Sequence, residues 1–161
     1  MNVRQQTHRE SGFSIVTTSV EQSPRAAELD LVVPFTTPEL TRVALDAADR
    51  MGAGLNAAVR LIKVQVVPFP LALNQSPVYI DFLKQQLAEL KSELPAAGEI
   101  RLARDFEEGL EGTLGRDSVV ILATPKRLWK TRTERTAESL RRRSHKVVLV
   151  SPADKQEAKN A

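Results

Sequence analysis

Two uninterrupted apolar runs, Ser118–Ala123 (Ser-Val-Val-Ile-Leu-Ala) and Lys146–Val150 (Lys-Val-Val-Leu-Val), constrain this chain more than any other feature. A strand with one wet face alternates apolar and polar side chains. A run without that alternation suits a central strand of a parallel sheet, covered on both faces. Parallel strands need a crossover, and a helix over residues 133–143, with Thr136, Ala137 and Leu140 inward, supplies it. The same alternation of strand and helix extends back along the chain. Residues 29–35 form a short apolar strand. Residues 38–51 carry Leu40, Val43, Ala44, Ala47, Ala48 and Met51 on one helical stripe, opened by Thr37-Pro38 and closed by Gly52 and Gly54. Residues 55–67 return as a strand, in which Leu55, Ala57, Val59 and Leu61 alternate before a change of face near Ile62. Pro68, Pro70 and Pro77 mark the following loop.

Ser76-Pro77 then opens a second helix with Tyr79, Leu83, Leu87, Leu90 and Leu94 on its buried side. Residues 99–103 form a third strand, weakened by Arg101 and Arg104 beside its apolar pair. Asp105 followed by Glu108 starts a brief helix through Leu114, which Gly109 and Gly112 weaken. Five strands with four intervening helices predict a doubly wound α/β domain: a five-stranded, mostly parallel sheet flanked by four helices. Ligands of such folds gather outside the carboxyl ends of the strands where the winding reverses. That places the functional search at residues 36–38 and 124–129.

At 161 residues the chain buries a core without staples, and it has no cysteine. A disulfide framework, a thiol nucleophile and thiolate metal sites are therefore excluded. His8 and His145 lie far apart, so no metal is expected. The first 30 residues lack the apolar stretch of a signal peptide, and no run approaches the ~18 residues of a membrane span, so a cytoplasmic location is the expectation. Residues 1–27 are polar and are expected to be a flexible tail. Within them Phe13–Thr18 alone is β-branched enough to add to a sheet edge or a partner. Residues 28–151 form the domain, and residues 152–161 a charged C-terminal tail. Between Lys126 and Lys146 nine Lys/Arg face only two acids, Glu134 and Glu138, against a net charge of +3 for the whole chain. The basic character is thus local, and partners bearing phosphate or acidic groups belong to this one region.

Several segments together resemble the universal stress protein family: Leu31-Val32-Val33-Pro34-Phe35-Thr36-Thr37-Pro38-Glu39, the Ala-rich Leu45-Asp46-Ala47-Ala48-Asp49, Met51-Gly52-Ala53-Gly54-Leu55 leading into the second strand, and the block 137–150. The resemblance covers residues 28–151 and rests on order and spacing. It implies a Rossmann-like fold and a homodimer paired through the last strand, here Val147, Val148, Leu149 and Val150. Family-like domains also occur joined to membrane transporters, which makes such a transporter a candidate partner. ATP-binding members carry an aspartate where this chain has Thr36, and a Gly-x-x-Gly loop after the fourth strand. Here that loop reads Thr124-Pro125-Lys126-Arg127-Leu128-Trp129-Lys130, and no glycine follows Gly115. Glycine loops grip phosphates with open backbone N–H groups, whereas Pro125 removes a donor and the neighbours are bulky. No cofactor is therefore expected, and ATP or AMP would bind without the usual motif.

Three functional readings follow. In the first, Thr36, Thr37, Thr124, Lys126 and Arg127 converge on a small anion or nucleotide, with Trp129 stacking on a base or packing at the domain edge. In the second, residues 126–146 contact nucleic acid. The interleaved aromatics are too few for that, and a solvated helix face explains the charge. In the third, the chain is a non-enzymatic regulatory or stress-response module acting through protein contacts as a homodimer, helped by a sheet whose edges need cover. No Gly-x-Ser-x-Gly elbow, P-loop, Gly-x-Gly-x-x-Gly or His-Glu-x-x-His occurs. The regulatory module is the leading expectation, and an anion or nucleotide sensor built on Lys126, Arg127 and the threonines is the alternative.

Overall fold

The computed structural model describes residues 9–10, 13–18, 29–91, 96–126 and 131–152. In chain order the elements are β1 (Arg9–Glu10), β2 (Phe13–Thr18), β3 (Leu29–Pro34), α1 (Pro38–Gly52), β4 (Ala57–Val66) and α2 (Ile80–Lys91), followed by β5 (Ala97–Ala103), α3 (Phe106–Glu111), β6 (Ser118–Ala123), α4 (Arg132–Arg142) and β7 (Lys146–Val150). Strands β3 to β7 form the expected five-stranded parallel sheet, in the order β5-β4-β3-β6-β7, with the four helices around it. The chain winds outward from β3 through β4 to β5, then returns to β3's other side for β6 and β7. The reversal point therefore lies between β3 and β6.

Residue parity sorts the two cores. Leu31, Val33, Phe35, Leu61, Ile100 and Ile121 face one way, against the stripe Ala44, Leu45 and Ala48 of α1 and the stripe Leu83, Leu87 and Leu90 of α2. Val32, Ile62, Val64, Val120 and Leu122 face the other way, against Leu110 of α3 and Ala137 and Leu140 of α4. Each fully buried Leu, Ile or Val contributes roughly 1.5–3 kcal/mol, which is why the central strand β6 reads as an unbroken apolar run. Helix α1 starts as expected: Thr37 Oγ1 accepts from Leu40 N at 3.3 Å, and Pro38 occupies the first turn. Helix α4 opens with a capping box between Thr131 and Glu134. It closes with Ser144 at φ 67° and a bond from His145 N to the Leu140 carbonyl, so a serine fills the left-handed position where glycine is usual.

Four local expectations are corrected. The region taken as a tail supplies two strands: β2, the segment 13–18 that the sequence offered for a sheet edge, pairs antiparallel with β5, Val16 opposite Ile100, and β1 pairs with β2. These strands cover the β5 edge, which a parallel sheet would otherwise leave open. Strand β4 begins at Ala57, after a turn in which Leu55 is exposed. Helix α2 begins at Ile80, because Ser76 Oγ accepts from Val78 N in a local turn, and the Tyr79 side chain is 89% exposed instead of buried. Leu94 lies outside the described residues.

The fourth correction concerns α3, which ends at Glu111, short of Leu114. Asp105 caps it by accepting from Glu107 N and Glu108 N. Its two glycines have packing roles that outweigh their weak helix propensity. A Cβ on Gly109 would lie 2.6 Å from Val64 Cγ1 and 2.7 Å from Ala103 Cβ, so only glycine lets α3 approach the sheet this closely. Gly112 leaves room for the Arg101 guanidinium, whose Nη1 donates to the Gly112 carbonyl at 2.8 Å. Gly109→Ala should therefore destabilise the domain by about 1–3 kcal/mol, despite alanine's better helix propensity. Urea denaturation of the variant checks this; unchanged or raised stability would show that α3 is not held at this distance.

Candidate functional site

A cavity of about 470 Å³ straddles the carboxyl edge of the sheet at the reversal point. Its walls are set by the ends of the elements. Phe35, Thr36 and Thr37 follow β3, and Leu40 comes from the first turn of α1. Strand β4 contributes Lys63, Val64, Gln65 and Val66, and β6 contributes Leu122. Phe106 opens α3, and Arg132, Thr133 and Thr136 come from the first turns of α4. The volume is that of a small-molecule site, apolar at its sides with a few polar groups.

Lys63 and Arg132 enter this cavity from different directions. By strand alternation Lys63 shares a face with Leu61, the side covered by α1 and α2, whereas Arg132 belongs to α4 on the opposite side. The Lys63 ammonium lies 3.7 Å from the centroid of the Phe35 ring, within cation–π range. Burial lowers its pKa below the usual lysine value, and no carboxylate among the described residues offsets that burial. Thr36 N donates to the buried Thr41 Oγ1 at 3.1 Å, which shapes the turn after β3. The Thr37 hydroxyl accepts the α1 cap bond, and its own proton meets no acceptor among the described residues.

Of the residues expected at the site, Thr36 and Thr37 line the cavity. Thr124 does not. It is buried, its hydroxyl lies 3.1 Å from the Thr131 hydroxyl, and its N–H donates to the Val150 carbonyl, so it joins the end of β6 to the start of α4. Lys126 is exposed and outside the lining. Arg127 and Trp129 lie outside the described residues. Sequence reasoning missed Lys63 and the role of Arg132. The available signal was a lone lysine in Leu61-Ile62-Lys63-Val64, near the carboxyl end of a central strand. The expected pairing strand, Val147 to Val150, is half-buried in β7, the sheet edge opposite β1.

A second polar cluster occupies the amino ends of the strands and is closed by its own partners. Arg60 of β4 grips Asp30 of β3 with two bonds, Nε to Oδ1 at 2.8 Å and Nη2 to Oδ2 at 2.7 Å. Its Nη2 also donates to the Thr113 carbonyl at 2.9 Å. Ser118 of β6 donates to Asp30, and Glu99 of β5 lies 3.6 Å from Arg60. Burial opposes ionisation of Asp30, but the hydrogen bonds from Arg60 and Ser118 and the Arg60 charge prevail, holding its pKa below the usual carboxylate range. The Asp30 hydrogen bond raises the Arg60 pKa despite burial. For Glu99 burial prevails and raises the pKa. No group of three or more His, Cys, Asp or Glu that could hold a metal occurs among the described residues, and no helix among them is long and apolar enough to cross a membrane.

Neither protein-family models nor curated proteins match this chain.

Because the folded Asp30 pKa is depressed, its pairing contributes stability above the carboxylate range and loses it as pH falls through the folded pKa. Asp30→Asn strands a partly buried guanidinium. It should cost about 2 kcal/mol at neutral pH, between the values for exposed and fully buried pairs. The difference from the natural protein should shrink at an acidic pH below the usual carboxylate range, as Asp30 becomes protonated. Urea denaturation at both pH values checks this, and a pH-independent difference would contradict it.

Proposed function

We propose that this chain is a regulatory domain of the universal stress protein type that acts by binding a small phosphate-bearing ligand, of the AMP or ATP class, at the reversal point of its sheet. The observation that carries this reading is the pair Lys63 and Arg132, two cations lining one cavity from opposite faces of the sheet. Side-chain cations there do what a glycine loop's N–H groups do elsewhere. Phe106 adds aromatic surface for a base, and the threonine hydroxyls at 36, 37, 133 and 136 add donors. The cavity lining supports ligand sensing over a module working through protein contacts alone, and on this reading the grip belongs to Lys63 and Arg132 and not to Lys126.

Thermal shifts with ATP, ADP and AMP, with and without magnesium, test this. A ligand at about 100 times its dissociation constant adds ~2.7 kcal/mol and should raise the melting temperature by roughly 5–10 °C. Arg132→Ala, at an exposed first-turn position, should abolish the shift without lowering the melting temperature of the free protein. No shift with any of the three nucleotides would return the domain to protein contacts alone.

A second reading, a homodimer through β7, is favoured by the position of that strand. β2 covers the opposite edge of the parallel sheet, whereas the outer side of β7 pairs with no strand among the described residues. Its one described cover is Arg141, which donates to the Val147 carbonyl at 3.0 Å. Proline is tolerated on an edge strand but cannot donate to a new partner strand. Val147→Pro should therefore give a folded monomer in sedimentation; a surviving dimer would place the interface elsewhere.

A further inference from the structure

Lys63 differs in setting from Lys84, Lys126 and Lys146. Lys84 and Lys146 reach the carboxylates of Asp81 and Asp117, at 3.6 and 3.7 Å, and Lys126 is exposed. Lys63 instead rises from a central strand into the cavity, its nitrogen held over the Phe35 ring, with Arg132 lining the same space. We propose that Lys63 is a nucleophilic amine that captures small aldehydes bearing a phosphate or carboxylate group, forming a reversible imine inside the cavity. This rests on the ligand-binding reading of that cavity.

A lysine becomes nucleophilic when it is desolvated in an apolar site or set near another cation, because both disfavour its ammonium form. Lys63 meets the first condition by its burial and lines the same cavity as Arg132. Its stem is fixed by β4 and its head by the ring, so little freedom is lost when a bond forms. Arg132 supplies the anchor for the anionic end, which sets the chemical class of the ligand. The step balances without any redox partner. The amine lone pair attacks the aldehyde carbon and the carbonyl electron pair moves to oxygen. That oxygen leaves as water with the two amine hydrogens as the C=N bond forms.

Pyridoxal 5′-phosphate is a suitable probe, and pyridoxine 5′-phosphate, with an alcohol in place of the aldehyde, is its unreactive counterpart. After incubation of the full chain and borohydride reduction, peptide mass mapping should find Lys63 labelled about tenfold faster than any of the other seven lysines. Lys63→Arg keeps the charge but forms no imine. It should lose this label, while pyridoxine 5′-phosphate raises the melting temperature of the natural protein without forming an adduct. Label distributed over the exposed lysines overturns the proposal. If both probes raise the melting temperature but no adduct forms at Lys63, imine capture is overturned and the ligand-binding reading stands. If neither probe binds, the proposal falls, and the nucleotide series decides the broader reading separately.

Discussion

The Asp30–Arg60 pair sets the terms on which the rest of the sheet assembles. Strands β3, β4 and β6 are covered on both faces, so a charge on them is tolerated only with partners in reach. Arg60 finds Asp30, the Thr113 carbonyl and Glu99, which ties β3, β4 and β5 to the turn after α3; Ser118 brings in β6. A slip of one residue in β3 would turn Asp30 into the core against α1 and α2, leaving Arg60 unpaired on the other face. The bidentate geometry therefore specifies register, a use of partly buried charge distinct from raw stability. It also closes the amino ends of the strands, leaving the carboxyl ends as the open rim where the winding reverses.

On the ligand-binding reading, side-chain cations at that rim would do with different physics what glycine N–H groups do elsewhere. A glycine loop presents donors whose directions are fixed by the backbone, so an anion meets them already ordered. Lysine and arginine carry more charge but lose rotamer freedom on binding. Here part of that ordering is done in advance. Lys63 is fixed over Phe35, and Arg132 stands at the start of a helix anchored by the Thr131–Glu134 capping box. Pro125 and the absence of glycine after Gly115 remove the backbone grip in the loop after β6, and the charges lie on neighbouring elements instead.

What was legible in the sequence was what periodicity reports. The unbroken runs of β6 and β7, the apolar stripes of α1 and α4 and the alternation of elements led to the strand count and the winding. The antiparallel addition of β2 depends on a partner, β5, some eighty residues away, and no local pattern in 13–18 specifies it. Tyr79 was misplaced because it continues the spacing of Leu83 and Leu87 while a turn at Ser76 delays the helix. Arg101 looked like a weakness of its strand because its partner, the Gly112 carbonyl, lies beyond α3. The site was half legible: the reversal point and Thr36 and Thr37 follow from strand order. Lys63 does not, since its environment is made by α4 and by Phe35, neither adjacent to it in sequence.

The setting of Lys63 carries a stability consequence that bears on its role. Its folded pKa is depressed by burial, so between the folded and unfolded values the unfolded chain binds more protons, and stability rises with pH through that window. Below the window the fold holds a desolvated ammonium at a net disadvantage, relieved only in part by the Phe35 ring. A methionine or leucine would fill the same position without that penalty. Asp30 and Arg60 show the contrasting case, a charge neutralised by fixed partners within the fold. A half-buried lysine without such a partner among the described residues, facing a cavity large enough for a small molecule, is a local inconsistency of the kind that folds retain at functional sites. An anion entering beside Arg132 would supply the counter-charge that Lys63 lacks, and an aldehyde would remove the charge altogether. Both routes convert the penalty held in the free protein into affinity for the ligand.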